Sequence, residues 1–255
     1  MNTRTLFLLL FFLQTTLYSP IFSNDSLAFL SPYNTLLNKH VHEAEYNGIL
    51  LNSVSYGNWK EDSLHQEAMQ LLRTSKPNKL SKKEKLVFWI NAYNLLTIDL
   101  IISKEEKKSI RNLGSWFSLP WSIYKWNIGE SEYTLDDIEH DILRKLKEPR
   151  IHMAIVCASI SCPDLRTEVF SMQEIDFQLT DQTVQFLQNK RKGLKEKKDR
   201  LIASMIFKWF AEDFGGKDGV FSFLKQYHPV TNPTVQKISY FEYNWNLNGN
   251  WQTTQ

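Results

Sequence analysis

Residues 86–102 read LVFWINAYNLLTIDLII, apolar at nearly every position and long enough for four to five helical turns. Ser81-Lys82-Lys83-Glu84 stands just before it as a capping box, in which the Ser and Glu side chains satisfy free backbone N–H groups. A helix with no polar face has to be covered on all sides, so the rest of the chain must wrap around this one. Asn91 and Asn94 lie three apart on one face of it. Buried amides need partners. They either hold neighbouring loops by hydrogen bonds or line a site and bind substrate.

The remaining patterns suit an α+β fold: a helix-rich single domain around a small antiparallel sheet. The segment 36–51 begins helically and 59–72 reads as a second helix, with Leu64, Ala68, Leu71 and Leu72 inward. Gly129-Glu130-Ser131 marks a hairpin within 124–134, and Thr134-Leu135-Asp136-Asp137 opens a capped helix to about Leu146. Residues 150–158 are apolar and β-branched enough for a buried strand. Ser171-Met172-Gln173-Glu174 opens a helix to about Asn189, and the charge run 190–200 reads as an exposed turn between strands. Two short helices follow around Gly215-Gly216, and then a last strand at 237–243, after an Asn232-Pro233 turn. With no internal repeat or Pro/Ser linker, 24–255 is expected to be one globular domain.

Residues 1–23 have the pattern of a signal peptide: Arg4, then an unbroken apolar run of eight residues at 6–13, too short to span a bilayer as a helix. A mature chain starting near Asn24, secreted or periplasmic and without a membrane span, is the expectation. The net charge of +2 offers no global argument for nucleic acid or another polyanionic partner.

Candidate chemistry gathers in two places. On a helical wheel of about 100° per residue, Glu139 falls inside the stripe formed by Leu135, Ile138, Ile142, Leu143 and Leu146. Asp136, Asp137, His140, Asp141 and Arg144 fall on the other side. A core-facing carboxylate must be paired, hydrogen-bonded or neutral, so Glu139 is either an ion-pair partner for a residue such as Arg150 or a general acid/base. The second place is RIHMAIVCASISCPDLR at 150–166, which holds both cysteines of the chain, Cys157 and Cys162. His152 is the nearest base, but along an extended strand five residues span about 16 Å, so contact with Cys157 would need a sharp bend. Cys162 precedes Pro163, a favoured first helical residue, and a helix N-terminus would lower its thiol pKa. A Cys157–Cys162 disulfide is the alternative in an oxidising compartment.

These segments, LVFWINAYNLLTI (86–98), YTLDDIEHDILR (133–144), PRIHMAIVCASISCPDLR (149–166), IFKWFAEDF (206–214) and YFEYNWNLN (240–248), together resemble the signature blocks of the domain of unknown function 547 family. They stand in family order over most of 36–248. The resemblance implies an exported bacterial protein of a family whose activity is not established. It places Asn91, Tyr93, Asn94, Glu139, Arg150, His152, Cys157, Ser159, Cys162, Pro163 and Arg166 at motif positions. Two departures are Ser31-Pro32, where the family often has a His, and Glu242 and Asn244, where Asp is usual.

The leading expectation is a thiol-dependent hydrolase or transferase acting on an amide or ester bond. Its catalytic candidates are Cys157, Cys162, His152 and Glu139, and its substrate-binding candidates are Asn91, Asn94, Arg150 and Arg166. A central helix followed by a histidine-bearing strand is similar to papain- and transglutaminase-type folds, although here the helix carries Asn91 and no cysteine. The competing reading is a non-catalytic exported binding module stapled by a Cys157–Cys162 disulfide. A metal site from Glu139, His152 and one cysteine is a third. Two thiols alone make a weak zinc signal, and no metal or cofactor is assigned.

Overall fold

A computed structural model describes residues 25–229, 235 and 237–253. The signal-peptide reading and the Asn232-Pro233 turn lie outside the described residues. In chain order the elements are α1 (Leu30–His40), β1 (Val41–Tyr46), β2 (Ile49–Ser55), α2 (Tyr56–Glu61), α3 (Leu64–Arg73), α4 (Lys82–Ser103), α5 (Pro120–Ile123), β3 (Trp126–Ile128), β4 (Ser131–Tyr133), a π-helical segment (Asp137–Leu143), α6 (Ile151–Ala154), α7 (Ile175–Gln188), β5 (Leu194–Glu196), β6 (Leu201–Ala203), α8 (Ile206–Trp209), α9 (Gly216–Tyr227), β7 (Ile238–Tyr240) and β8 (Gly249–Asn250). The architecture is α+β and helix-rich.

The expected central helix is α4. The Ser81 hydroxyl accepts from the Glu84 N–H at 3.4 Å and the Glu84 carboxylate accepts from the Ser81 N–H at 2.8 Å. By length and composition α4 would cross a membrane, but 83% of its apolar window is buried inside the fold, where it serves as the core. Its one charged residue in the apolar stretch, Asp99, accepts from Trp126 Nε1 at 2.7 Å and meets His65 Nε2 at 2.9 Å. These polar contacts offset its partial burial.

The sheet is where expectation and structure part. Instead of one antiparallel sheet, the described residues form three small ones, two of them mixed. β1 and β2 form an antiparallel hairpin with β8 parallel to β2. β3 and β4 make the expected hairpin. β5 and β6 pair antiparallel across the charge run, with β7 parallel to β6. The β1–β2 turn is Asn47-Gly48, both at positive φ (49° and 78°). Asn-Gly is the strongest short hairpin signal in a sequence, because such a turn requires left-handed residues at both central positions. The segment 36–51 begins helically, as expected, in α1 and turns to strand at Val41. The expected single helix at 59–72 is broken at Asp62-Ser63 into α2 and α3.

Apolar side chains gather in two clusters, a large one around α4 and a smaller one formed by the C-terminal end of α7, β5, β6, α8 and α9. The segment 150–162 contributes to both: Ile151, Ile155 and Cys162 to the first, Met153 to the second.

Candidate functional site

The residues expected to form a strand at 150–158 instead form the one-turn helix α6, whose first bonds run from His152 N–H to Pro149 O and from Met153 N–H to Arg150 O. Pro149 pre-sets the first turn. The β-branched residues that suggested a strand are buried by neighbours, which overrides their propensity. After α6 the chain turns, with Ala158 in the left-handed region at φ 57°. Segment 158–161 is then laced to 244–248 by Asn248 N–H to Ala158 O, Ile160 N–H to Asn246 O and Ser161 N–H to Asn244 O, all at 2.9–3.2 Å. The bend brings Cys157 to the same cleft as His152, but the imidazole is engaged by Asp213 and faces Glu139, not the thiol. His152, Cys157 and Cys162 line one cleft of about 190 Å³, together with Tyr93, Asp136, Glu139, His140 and a set of aromatic residues from the C-terminal third: Trp209, Phe210, Tyr243 and Trp245.

Glu139 points inward as the wheel placed it. Its partner is not Arg150: the carboxylate accepts from Tyr93 OH at 3.3 Å and stands 4.0 Å from His152 Nδ1. Burial pushes its pKa up to about 7, against the smaller lowering effect of the Tyr93 hydrogen bond. The helix that carries it is π, not α, over Asp137–Leu143. Asp136 and His140, placed on the other side of the wheel, also line the cleft. Thr134 and Asp137 cap the segment reciprocally, at 2.8 Å and 3.0 Å.

His152 is buried and stacked on Phe210 with ring centroids 4.1 Å apart. Its Nε2 lies 2.7 Å from Asp213 Oδ2. Burial lowers the imidazole pKa to about 4 despite that carboxylate. Asp213 is clamped from the other side by Arg144 Nε and Nη2 at 2.6 Å and 3.0 Å. The bond to Asp213 fixes the Nε2–H tautomer and leaves Nδ1 facing Glu139.

The two thiols are free and their sulfurs are 2.7 Å apart. Cys162 Sγ accepts from the Cys157 N–H at 2.9 Å. Cys157 Sγ also meets Ser159 Oγ at 3.2 Å and Tyr243 OH at 3.4 Å. Burial raises the Cys157 thiol well above its ordinary value. Cys162 goes the other way. Burial opposes its charge, but hydrogen bonds from the Cys157 thiol, Tyr243 and the Cys157 N–H, with the charge of Lys192, bring it down to about 7. The lowering does not come from a helix N-terminus: Pro163 continues into a loop and starts no helix. Lys192, from the charge run read as an exposed turn, is 2% exposed and bonds Asp164 Oδ1 at 2.6 Å.

The four substrate-binding candidates are elsewhere. Asn91 bonds the Val87 and Phe170 carbonyls at 2.8 Å and accepts from the Phe170 N–H. Asn94 bonds Ala154 O and accepts from Val156 N–H, both at 2.9 Å. Their amides are spent on backbone, so both hold loops. Arg150 is tied to Glu148 and Thr180. Arg166 pairs with Glu168 and Asp181. None of the four lines the cleft. Asn94→Leu leaves one buried N–H and one buried C=O unpartnered beside the catalytic candidates, and is expected to cost about 3 kcal/mol. Urea unfolding measures this; an unchanged midpoint would show that Asn94 holds nothing.

The glutamate, the histidine and both cysteines were legible in the sequence, whereas Asp213, Tyr243 and the aromatic wall were not singled out as site residues. Their only trace was the IFKWFAEDF and YFEYNWNLN blocks, which carry no spacing rule linking them to 139–162. Among the described residues no group of three or more His, Cys, Asp or Glu is arranged to hold a metal ion.

Residues 77–187 match the family described as "Protein of unknown function, DUF547". Over this span the chain is similar to DUF547 proteins. No curated protein and no solved structure matches it. The matched span carries Tyr93, Glu139, His152 and both cysteines, while Phe210 and Tyr243, which line the cleft, and Asp213, which holds His152, lie beyond it.

Proposed function

We propose that this protein is a thiol-dependent hydrolase or transferase acting on an amide or ester bond, with Cys162 as nucleophile. The observation that carries the reading is the sulfur of Cys162, which accepts from the Cys157 N–H at 2.9 Å in the wall of the cleft that Glu139 also lines; these contacts lower its thiol pKa, while burial raises that of Glu139. A thiolate is the nucleophile in such chemistry, and a general acid/base works best with a pKa near the working pH. The Cys162 thiolate adds to the carbonyl carbon, and the leaving group departs with the proton of neutral Glu139. The thioester is then attacked by water or an acceptor, whose proton returns to the Glu139 carboxylate. The charges of Cys162 and Glu139 act on each other, as this exchange requires. His152, held by Asp213, is a positioning residue packed beside Glu139.

The pattern of residues 1–23 supports export, with the mature chain working in a secreted or periplasmic setting. The contact between the two sulfurs favours a second reading, in which they close to a disulfide and the cleft only binds.

Incubation with p-nitrophenyl acetate decides between them. A covalent acetyl adduct on the intact protein, lost in Cys162→Ser and kept in Cys157→Ser, is the expected result. No adduct on the wild type, or an adduct that survives Cys162→Ser, would remove Cys162 as the nucleophile.

A further inference from the structure

Trp116 and Phe117 are each 93% exposed, at the tip of a turn closed by Ser115 N–H to Ser118 O at 2.9 Å. The apolar surface continues from that tip through Leu119 (61% exposed) and Ile123 (40%). Leu119 and Trp121 also line the cleft, whose wall includes the partly exposed Trp209. The apolar apron is therefore continuous with the mouth of the cleft. Single exposed apolar side chains are ordinary, but two adjacent large aromatics held wholly in solvent on a shaped turn are not.

The charge around the apron identifies what covers it. Residues 104–125 contain five basic residues (Lys104, Lys107, Lys108, Arg111, Lys125) and two acidic ones (Glu105, Glu106), leaving 25 of the 30 basic and 26 of the 28 acidic residues for the rest of the chain. Glu105 is paired with Lys60, and Glu106 accepts from the Lys108 and Ser109 N–H groups and from Asn112. Lys104, Lys107, Lys108 and Arg111 are exposed. Lys104, Lys107 and Arg111 lie over the rings of Tyr124, Trp251 and Trp245, and Lys125 meets Glu132 at 3.8 Å. In a nearly neutral chain the segment that carries the aromatic wedge is thus net positive. Indole and phenyl rings partition into the interface of a bilayer, and lysine and arginine are drawn to anionic headgroups. A protein partner of matching acidity would be expected to bury the rings in a concave seat; a loop tip with both rings projecting suits a soft, flat surface.

We propose that the loop 115–119, with the net positive segment that carries it, docks the mouth of the cleft onto an anionic lipid surface, without spanning it. The inference is independent of the chemistry at Cys162, since it concerns the apron and not the sulfur.

The test uses sedimentation with vesicles of phosphatidylcholine containing phosphatidylglycerol, against vesicles of phosphatidylcholine alone. The mature chain from Asn24 is expected to sediment with the anionic vesicles and to be released by salt. Trp116→Ser with Phe117→Ser should weaken binding by about tenfold or more, and Lys107→Ala should weaken it by about fivefold. Both rings project into solvent, so the double variant should keep the wild-type circular dichroism and melting temperature. Failure of the wild type to bind anionic vesicles at low salt would overturn the proposal. So would equal binding by the double variant, or a wild-type dimer that becomes monomeric in that variant, which would assign the apron to a second copy of the chain.

Discussion

Brief alkylation of the unreduced protein at about pH 7 is expected to label one cysteine, Cys162, and to spare Cys157. The two thiols touch, so one proton between them is enough to separate their fates. Cys162, the more buried of the two, receives the Cys157 N–H, the Cys157 thiol and the nearby Lys192 charge, and its pKa falls to about 7; Cys157 is partly exposed, but desolvation and the neighbouring Cys162 raise its thiol. Since the thiolate is the reactive form, Cys162 should be labelled well ahead of Cys157. The rate at Cys162 should be half-maximal near pH 7. Cys162→Ser should abolish fast labelling. Cys157→Ala should keep it but move its midpoint upward, because the side-chain hydrogen bond to Cys162 is lost. Intact-mass measurement follows all three proteins. If neither cysteine is labelled until reductant is added, the pair is a disulfide, and the non-catalytic binding reading replaces the nucleophile.

The stability of the wild-type protein should change little from about pH 4.5 to 6.5, and Glu139→Gln should convert that plateau into a slope. Glu139 rises from 4.5 unfolded to about 7 folded, so the folded state binds the extra proton and stability falls as pH rises through this window. His152 drops from 6.5 unfolded to about 4 folded, so the unfolded state binds the extra proton and stability rises with pH over almost the same range. Each effect is about 3 kcal/mol by the size of the shift, and they oppose. Glutamine keeps an acceptor for Tyr93 but does not titrate, which leaves only the histidine term. Glu139→Gln should therefore gain stability from about pH 4 to 6.5, and at pH 8 it should be more stable than wild type, because it no longer buries a charge. Asp141→Asn, on an exposed residue, should follow the wild-type curve. Melting temperatures across this range measure it, and parallel curves for wild type and Glu139→Gln would show that Glu139 titrates normally.

What the sequence determined by itself is what depends on near neighbours. The Ser81 cap, the buried α4, the hairpin at Gly129-Glu130 and the inward aim of Glu139 all follow from residues within one or two turns of each other, where periodicity and capping act. The Asn47-Gly48 turn belonged to the same class and was missed by weighting helical spacing above turn chemistry. The tertiary structure alone decided the rest. Residues 150–158 had strand-like residues but became a turn of helix, because burial from both apolar clusters outweighed local propensity. Asn91 and Asn94 were polar groups in an apolar helix, and whether they served loops or ligands depended on Phe170, Ala154 and Val156 arriving beside them. The pKa of Cys162 was expected to fall through a helix dipole and falls instead through Cys157, Tyr243 and Lys192, the last two 81 and 30 residues away in sequence. The physical reason is one of range: capping and periodicity act within a turn or two, whereas desolvation and charge act through whatever groups the fold brings into contact.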